Sequence, residues 1–332
     1  EYYTNHNVFH AALWREDIEE HHSSMDYETD EAVGNYDIKY ISAVVNSKLI
    51  NYYFQTFLAT GTLQGSYSSI YPEDIRKLPI FEIDFELDNS ISDHGDFDSL
   101  KIGDIDLVNS SYQSALIQLA DQMLNLRHEH SDLNFDLFDH LGKYSDGQSP
   151  ADIGLTHPPK DSADSILQET TEQKPNLRVG EGSVVRESDS TVKIQLTARF
   201  KPEDKDAYGT DRWGYTETDP LPALRITDLT KTEADLIEAF VPVAIDEAGG
   251  FAGFRETATK TKSLVDRLHE LRLPVVSDVE KGLKSYTQTK ERAEVLQSKI
   301  EQIDGLINKI VYRLYGLTDD EIEVVEEAVN SP

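Results

Sequence analysis

At 332 residues the chain is long enough to bury the cores of two or three domains. It carries 62 acidic and 31 basic residues, a net charge of −31, which leaves DNA open as a partner only through a local basic or neutral island. The absence of cysteine excludes disulfides and thiolate metal sites, and no run of about 18 apolar residues is present to span a membrane.

The acids are spread along the whole sequence, among 16 Tyr, 12 Phe and 2 Trp set in periodic segments. That pattern describes a folded, salt-adapted surface of halophilic type rather than a disordered acidic tail. A mesophilic acidic protein is the alternative. The first residues, Glu1-Tyr-Tyr, lack a Met and show no signal peptide, so a fragment or processed product of cytoplasmic location is expected.

Thr4 to Phe9 is β-prone and precedes an acidic loop, Glu16 to Glu31. His21-His22 in that loop points its two rings apart on either a strand or a helix, which argues against a metal site. From Tyr40 a short helix is expected with Ile41, Val44, Val45, Leu49 and Tyr52 on one stripe, followed by aromatics to Phe57. A Gly-rich loop (Gly61 to Gly65), an aromatic and polar segment (Ser66 to Tyr71) and a turn at Pro72 follow. The turn leaves through the extended Ile75-Arg-Lys-Leu-Pro-Ile80. Phe81 to Leu87 alternates as a half-buried strand, and Asp88 to Asp106 reads as an acidic loop. A helix from Ser111 to about His128 buries Ala115, Leu116, Leu119, Met123 and Leu126.

Tyr144 to Asn176, with four prolines and no periodicity, reads as a linker or surface insertion. Thr191 to Phe200 is the cleanest strand. It sets Val192, Ile194, Leu196, Ala198 and Phe200 against Thr191, Lys193, Gln195, Thr197 and Arg199. That basic, polar second face suits either DNA or plain solvent. Lys201 to Asp219 forms a loop holding Trp213-Gly-Tyr215, and Leu224-Arg-Ile226 pairs back onto the sheet. A capping box, Thr230 to Glu233, opens a helix burying Ala234, Ile237, Phe240 and Val241 and ending at Pro242. Gly249 to Phe254 is a turn over two phenylalanines, since it lacks the lysine-serine end of a P-loop. Another helix carries Leu264, Val265, Leu268 and Leu271. A long helical seam follows through Val279, Leu283, Tyr286, Ala293, Leu296, Ile300, Ile303, Ile307, Ile310 and Leu314, to a stop at Gly316. The capping box Thr318 to Glu321 starts a last helix with Ile322, Val325 and Ala328 inward.

Three stretches carry a resemblance: Asn46-Ser-Lys-Leu-Ile-Asn-Tyr-Tyr-Phe54, Gly65-Ser-Tyr67 with the Ile75-to-Ile80 exit, and the tail "VYRLYGLTDDEIEVVEEAV". In this order they resemble the C-terminal target-recognition (TaqI-like specificity) region of adenine-specific DNA methyltransferases and single-chain, type IIG-like restriction–modification enzymes. The resemblance implies an α+β fold. A mixed target-recognition region (1–143) and the polar linker (144–178) would be followed by a small β-rich region (179–228) and a C-terminal helical bundle or coiled-coil region (229–332). It implies double-stranded DNA as partner, with Gln64, Gly65, Ser66, Tyr67 and Ser69 near base edges and Lys48, Arg76 and Lys77 near phosphates.

The glycine-rich cofactor loop and the (N/D)-P-P-(Y/F) motif of an adenine methyltransferase are both missing, the single Pro-Pro pair being His157-Pro-Pro-Lys160. Acid-x-Lys triplets at Asp37, Glu172 and Glu203 are what chance supplies in so acidic a chain. No catalytic or metal residue is therefore assigned. S-adenosylmethionine, and Mg²⁺ where the parent polypeptide also cleaves, are expected of an upstream methyltransferase domain. The alternative is a non-catalytic helical module that docks a subunit or a second copy through its seam.

Overall fold

The computed structural model describes residues 37–58, 77–81, 101–102, 105–106, 111–157, 165–203, 209–247 and 262–330. The expectations for Thr4 to Phe9, His21-His22, Gly61 to Tyr71, most of Phe81 to Leu87 and Gly249 to Phe254 lie outside these residues. The described chain combines helices with an antiparallel sheet, an α+β composition, and divides into two compact units. One gathers residues up to Leu133 with those from Ala293 onward; the other is the continuous stretch Asn134–Arg292.

In the first unit, α1 (Ile38–Val45) starts where the Asp37 carboxylate accepts the Lys39 N–H at 2.7 Å. The single helix expected from Tyr40 onward is in fact two. Ser47 breaks it, its hydroxyl donating to the Val44 carbonyl at 2.7 Å while capping α2 (Lys48–Tyr53). A buried serine placed to satisfy helix-end groups outweighs the apolar period running across it. The break also shifts the buried stripe: Tyr40, Ala43, Val44 and Ile50 are buried, while Ile41, Val45, Leu49 and Tyr52 are half-buried.

Within the expected acidic loop, β1 (Lys101–Ile102) and β2 (Ile105–Asp106) form a small antiparallel pair. Ser111 caps α3 (Tyr112–Ser131), which buries Ala115, Leu116, Leu119 and Ala120 against α1 and against Ile303, Ile307 and Ile310. Those isoleucines belong to a 39-residue helix, Val276–Leu314, whose first turns lie in the other unit. It ends in a Schellman turn: Gly316 has φ +69°, and the Leu317 N–H reaches the Tyr312 carbonyl at 3.0 Å. The final helix, Asp319–Asn330, begins with the expected Thr318–Glu321 box. It buries Val325, but Ala328 is exposed, because only one turn of this helix reaches the core.

The exit segment 77–81 lies on this core through Leu78 and Ile80. Two tyrosines strap it down. Tyr40 Oη donates to the Phe81 carbonyl at 3.0 Å; Tyr315 Oη donates to the Pro79 carbonyl at 2.6 Å and accepts the Phe81 N–H at 3.0 Å.

The second unit begins with α4 (Leu137–Leu141) and β3 (Leu155–His157), then β4 (Arg178–Ser188), β5 (Thr191–Phe200), β6 (Thr216–Glu217) and β7 (Leu221–Thr227). The sheet runs β3-β7-β5-β4, all antiparallel, with β6 pairing the end of β5. Strand β5 has the bounds its alternation predicted, and Val192, Ile194, Leu196, Ala198 and Phe200 are all buried. Helix α5 (Lys231–Glu247) lies in the same core through Ala234, Ile237, Phe240 and Val241. It passes through Pro242 instead of ending there. One backbone hydrogen bond is lost at the proline, but the turn beyond it places buried Ile245 against Gly182 of β4. The segment read as a polar linker supplies β3 and the buried side chains Ile153, Leu167 and Leu177, so it is part of this core. The Ser263–Asp266 capping box of α6 (Leu264–Glu270) went unread in the sequence. Val279, Leu283 and Tyr286, on α7 (Val276–Leu314), complete the core.

Gly282 on α7 faces the α4 backbone: a Cβ there would stand 2.2 Å from the His140 carbonyl oxygen. Glycine-to-alanine exchange inside an open helix stabilises by about 1 kcal/mol. Here the contact reverses the sign. Gly282→Ala is expected to lose about 1–3 kcal/mol, read as a lower urea midpoint. A raised midpoint would show that α4 yields to the methyl group.

Candidate nucleic-acid interface

Of the residues singled out for DNA contact, Gln64, Gly65, Ser66, Tyr67, Ser69 and Arg76 lie outside the described residues. Lys77 is exposed at the head of the strapped segment 77–81. Lys48 opens α2 and is tied to α8 (Asp319–Asn330). Its Nζ sits 2.5 Å from the Glu326 carboxylate, which also accepts the Tyr312 hydroxyl at 2.7 Å. Buried Asn308 completes the cluster by accepting the Lys48 N–H at 2.8 Å and donating to the Asp304 carbonyl. Burial, and then Glu326, push the Tyr312 phenol well above the usual tyrosine range. The α2 helix and the C-terminal helix α8 thus pack on each other. The triplet Asp37-Ile-Lys39 is accounted for structurally, because Asp37 caps α1 and Lys39 pairs with Asp121 at 2.6 Å.

In the second unit, on the sheet face turned away from the core, several cations of the described residues gather around one aromatic ring. Register sets Arg178 of β4 directly opposite Arg199 of β5. Tyr215, just before β6, lies between them. Its ring centroid is 4.9 Å from the Arg178 guanidinium, 5.2 Å from that of Arg199 and 4.9 Å from Lys201 Nζ. The electron-rich ring face lets three cations gather where bare repulsion would part them. Beside them, Gly180 leaves room for Thr197 and Glu217, whose side chains hydrogen-bond to each other; a Cβ at Gly180 would fall 2.0 Å from the Glu217 carboxylate.

Asp211 organises the adjoining turn. One carboxylate oxygen accepts the N–H groups of Trp213 and Tyr215, each at 2.9 Å, and the other pairs with Arg199. The Tyr215 N–H first, then the Trp213 N–H and the Arg199 charge, hold this carboxyl below the ordinary aspartate range. The turn displays Trp213, 58% exposed, with the Arg212 guanidinium 3.9 Å from its ring centroid. On the core side, Lys174 lies 4.3 Å over Phe200.

Charge balance separates this end of the sheet from the other. Arg186 is held by Asp235 and Glu238, and Arg225 by Glu187. Around Tyr215, Asp211 takes Arg199, while Arg178, Lys201 and Arg212 form no ion pair among the described residues. Alternation in the sequence puts Arg199 on this face and Trp213-Gly-Tyr215 in a loop, but does not bring them together with Arg178. The one available signal was a basic residue at the start of the neighbouring strand, and cross-strand register is not legible in composition.

Among the described residues no group of three or more acidic or histidine side chains is placed to hold a metal, and no helix is long and apolar enough to cross a membrane. No family model, curated protein or solved structure matches the chain.

Proposed function

We propose that this chain recognises double-stranded DNA, as the target-recognition part of an adenine-specific methyltransferase or restriction–modification polypeptide. A methyltransferase domain using S-adenosylmethionine would supply the chemistry. The observation that carries this reading is the cluster of Arg178, Lys201 and Arg212 around Tyr215 and Trp213, in a chain with two acids for every base. Such cations survive on an acidic surface where a partner is anionic, and aromatic neighbours add contacts that salt does not screen. The resemblance along Asn46–Phe54 and Ile75–Ile80 supports the same assignment, with Gln64, Ser66, Tyr67 and Ser69 as base readers.

Selection from a random duplex pool across a KCl series tests the reading. The wild-type chain is expected to enrich one motif, which Gln64→Ala blurs. The double variant Arg178→Ala/Lys201→Ala is expected to bind all sequences more weakly, with a salt dependence shallower by about two counterions. An unchanged slope would place the interface elsewhere. A second reading, a helical docking module, is favoured by one feature of the first unit. A groove of ≈ 630 Å³ is lined by Ile38, Ala43, Met123 and Ile307, with Leu124 59% exposed at its rim.

A further inference from the structure

We infer that Trp213 is a stacking platform for a nucleobase, its indole lying face-to-face on a base while Arg178 and Lys201 take flanking phosphates. This rests on the DNA-recognition reading above.

Trp213 contributes little to the fold. At 58% exposure it stays largely in water and belongs to neither hydrophobic core. Yet the backbone around it is held firmly. The Asp211 carboxylate takes two N–H groups, the Asp211 N–H donates to the Tyr215 carbonyl at 2.8 Å, and the Gly214 N–H to the Asp211 carbonyl at 2.9 Å. Gly214, at φ +77°, makes the reversal possible without Cβ strain. An exposed aromatic on an ordered turn has already lost the freedom that binding would otherwise cost it.

The chemistry of the ligand follows from the ring's surroundings. Arg212 lies over the indole at 3.9 Å, and a flat, electron-rich partner is what a cation-backed ring accepts on its remaining face. Arg178 and Lys201, at the ring of Tyr215 two residues along the same turn, supply positive charge of the kind a phosphodiester chain needs. A planar π-system attached to a chain of anions is a nucleotide strand. Stacking of this kind does not depend on base identity and persists where salt weakens phosphate contacts.

The test uses the whole chain labelled with 5-fluorotryptophan. Its two tryptophans, Trp14 and Trp213, give two ¹⁹F resonances, which Trp213→Phe assigns. The probes are a short paired duplex, the same duplex with a single unpaired adenine, and a single strand, with binding followed in parallel by anisotropy. The unpaired adenine is expected to shift the Trp213 resonance, and Trp213→Ala to weaken binding of that duplex about 10-fold, with Trp213→Phe losing less. Circular dichroism establishes that both variants are folded. DNA bound in the anisotropy experiment with the Trp213 resonance unmoved and Trp213→Ala binding like wild type would overturn the inference and leave DNA recognition standing. No binding of any probe at any salt would overturn both.

Discussion

Replacing Phe240 by alanine is expected to cost about 3–5 kcal/mol, a large fraction of the roughly 5–15 kcal/mol that holds a domain together. Phe240 is 4% exposed on the buried face of α5. The rings of Phe138 and Tyr144 meet it edge-on at 6.0 and 6.1 Å, at 84° and 88°. Removing it takes away both aromatic contacts and leaves a cavity that two neighbouring rings cannot both move to fill. Urea unfolding in molar KCl, followed by far-UV circular dichroism, should show a lower midpoint at nearly unchanged slope. Phe240→Leu, which keeps most of the volume, should lose clearly less. Equal losses for the two variants would mean that the retained volume contributes nothing and that the edge-on ring contacts with Phe138 and Tyr144 carry the site.

The second large effect is expected at Tyr40, fully buried on α1 with its hydroxyl on the Phe81 carbonyl. Tyr40→Ala removes a core ring and one of the two straps on the exit segment, for an expected loss of about 3–5 kcal/mol. Tyr40→Phe removes the strap alone, at about 1 kcal/mol, because the partly exposed Phe81 carbonyl can turn to water. Amide exchange at Phe81 checks the division of labour, since its N–H donates to Tyr315. The amide should stay protected in Tyr40→Phe and become labile in Tyr315→Phe. Protection in both variants would show that side-chain packing, not the hydroxyls, holds the segment.

What the sequence made legible is what neighbouring residues decide between themselves. Strand β5 was readable to its ends because alternation is a property of ten consecutive residues. The boxes at Thr230 and Thr318 were readable because a hydroxyl and a carboxylate three residues apart close on each other. The break at Ser47 was not, because the apolar period continues across it and only burial reveals the hydroxyl's use. Pro242 misled in the opposite direction. Its local cost is real, but Ile245 beyond it gains a place against Gly182 that no window around the proline contains. The candidate interface belongs to the same class. Arg178 and Arg199 are opposite each other only once β4 and β5 are in register, and Tyr215 joins them only through the pairing of β6. Side chains gathered from two strands and the turn before a third leave no motif in the linear chain.

The discontinuity of the first unit sets an order in time. Residues 134–292 form a contiguous stretch with its own core, so nothing later in synthesis is needed for that core to close. Leu116 and Leu119 of α3 must wait for Ile303 and Ile310, which leave the ribosome on the order of ten seconds or more after them. During that interval the apolar faces of α1 and α3 are without their final cover, and closing them then means joining segments far apart in the chain. Residues 134–292 therefore finish folding before the unit whose two parts flank them, and the surplus of negative charge along the chain discourages neighbouring nascent chains from pairing with the faces left waiting.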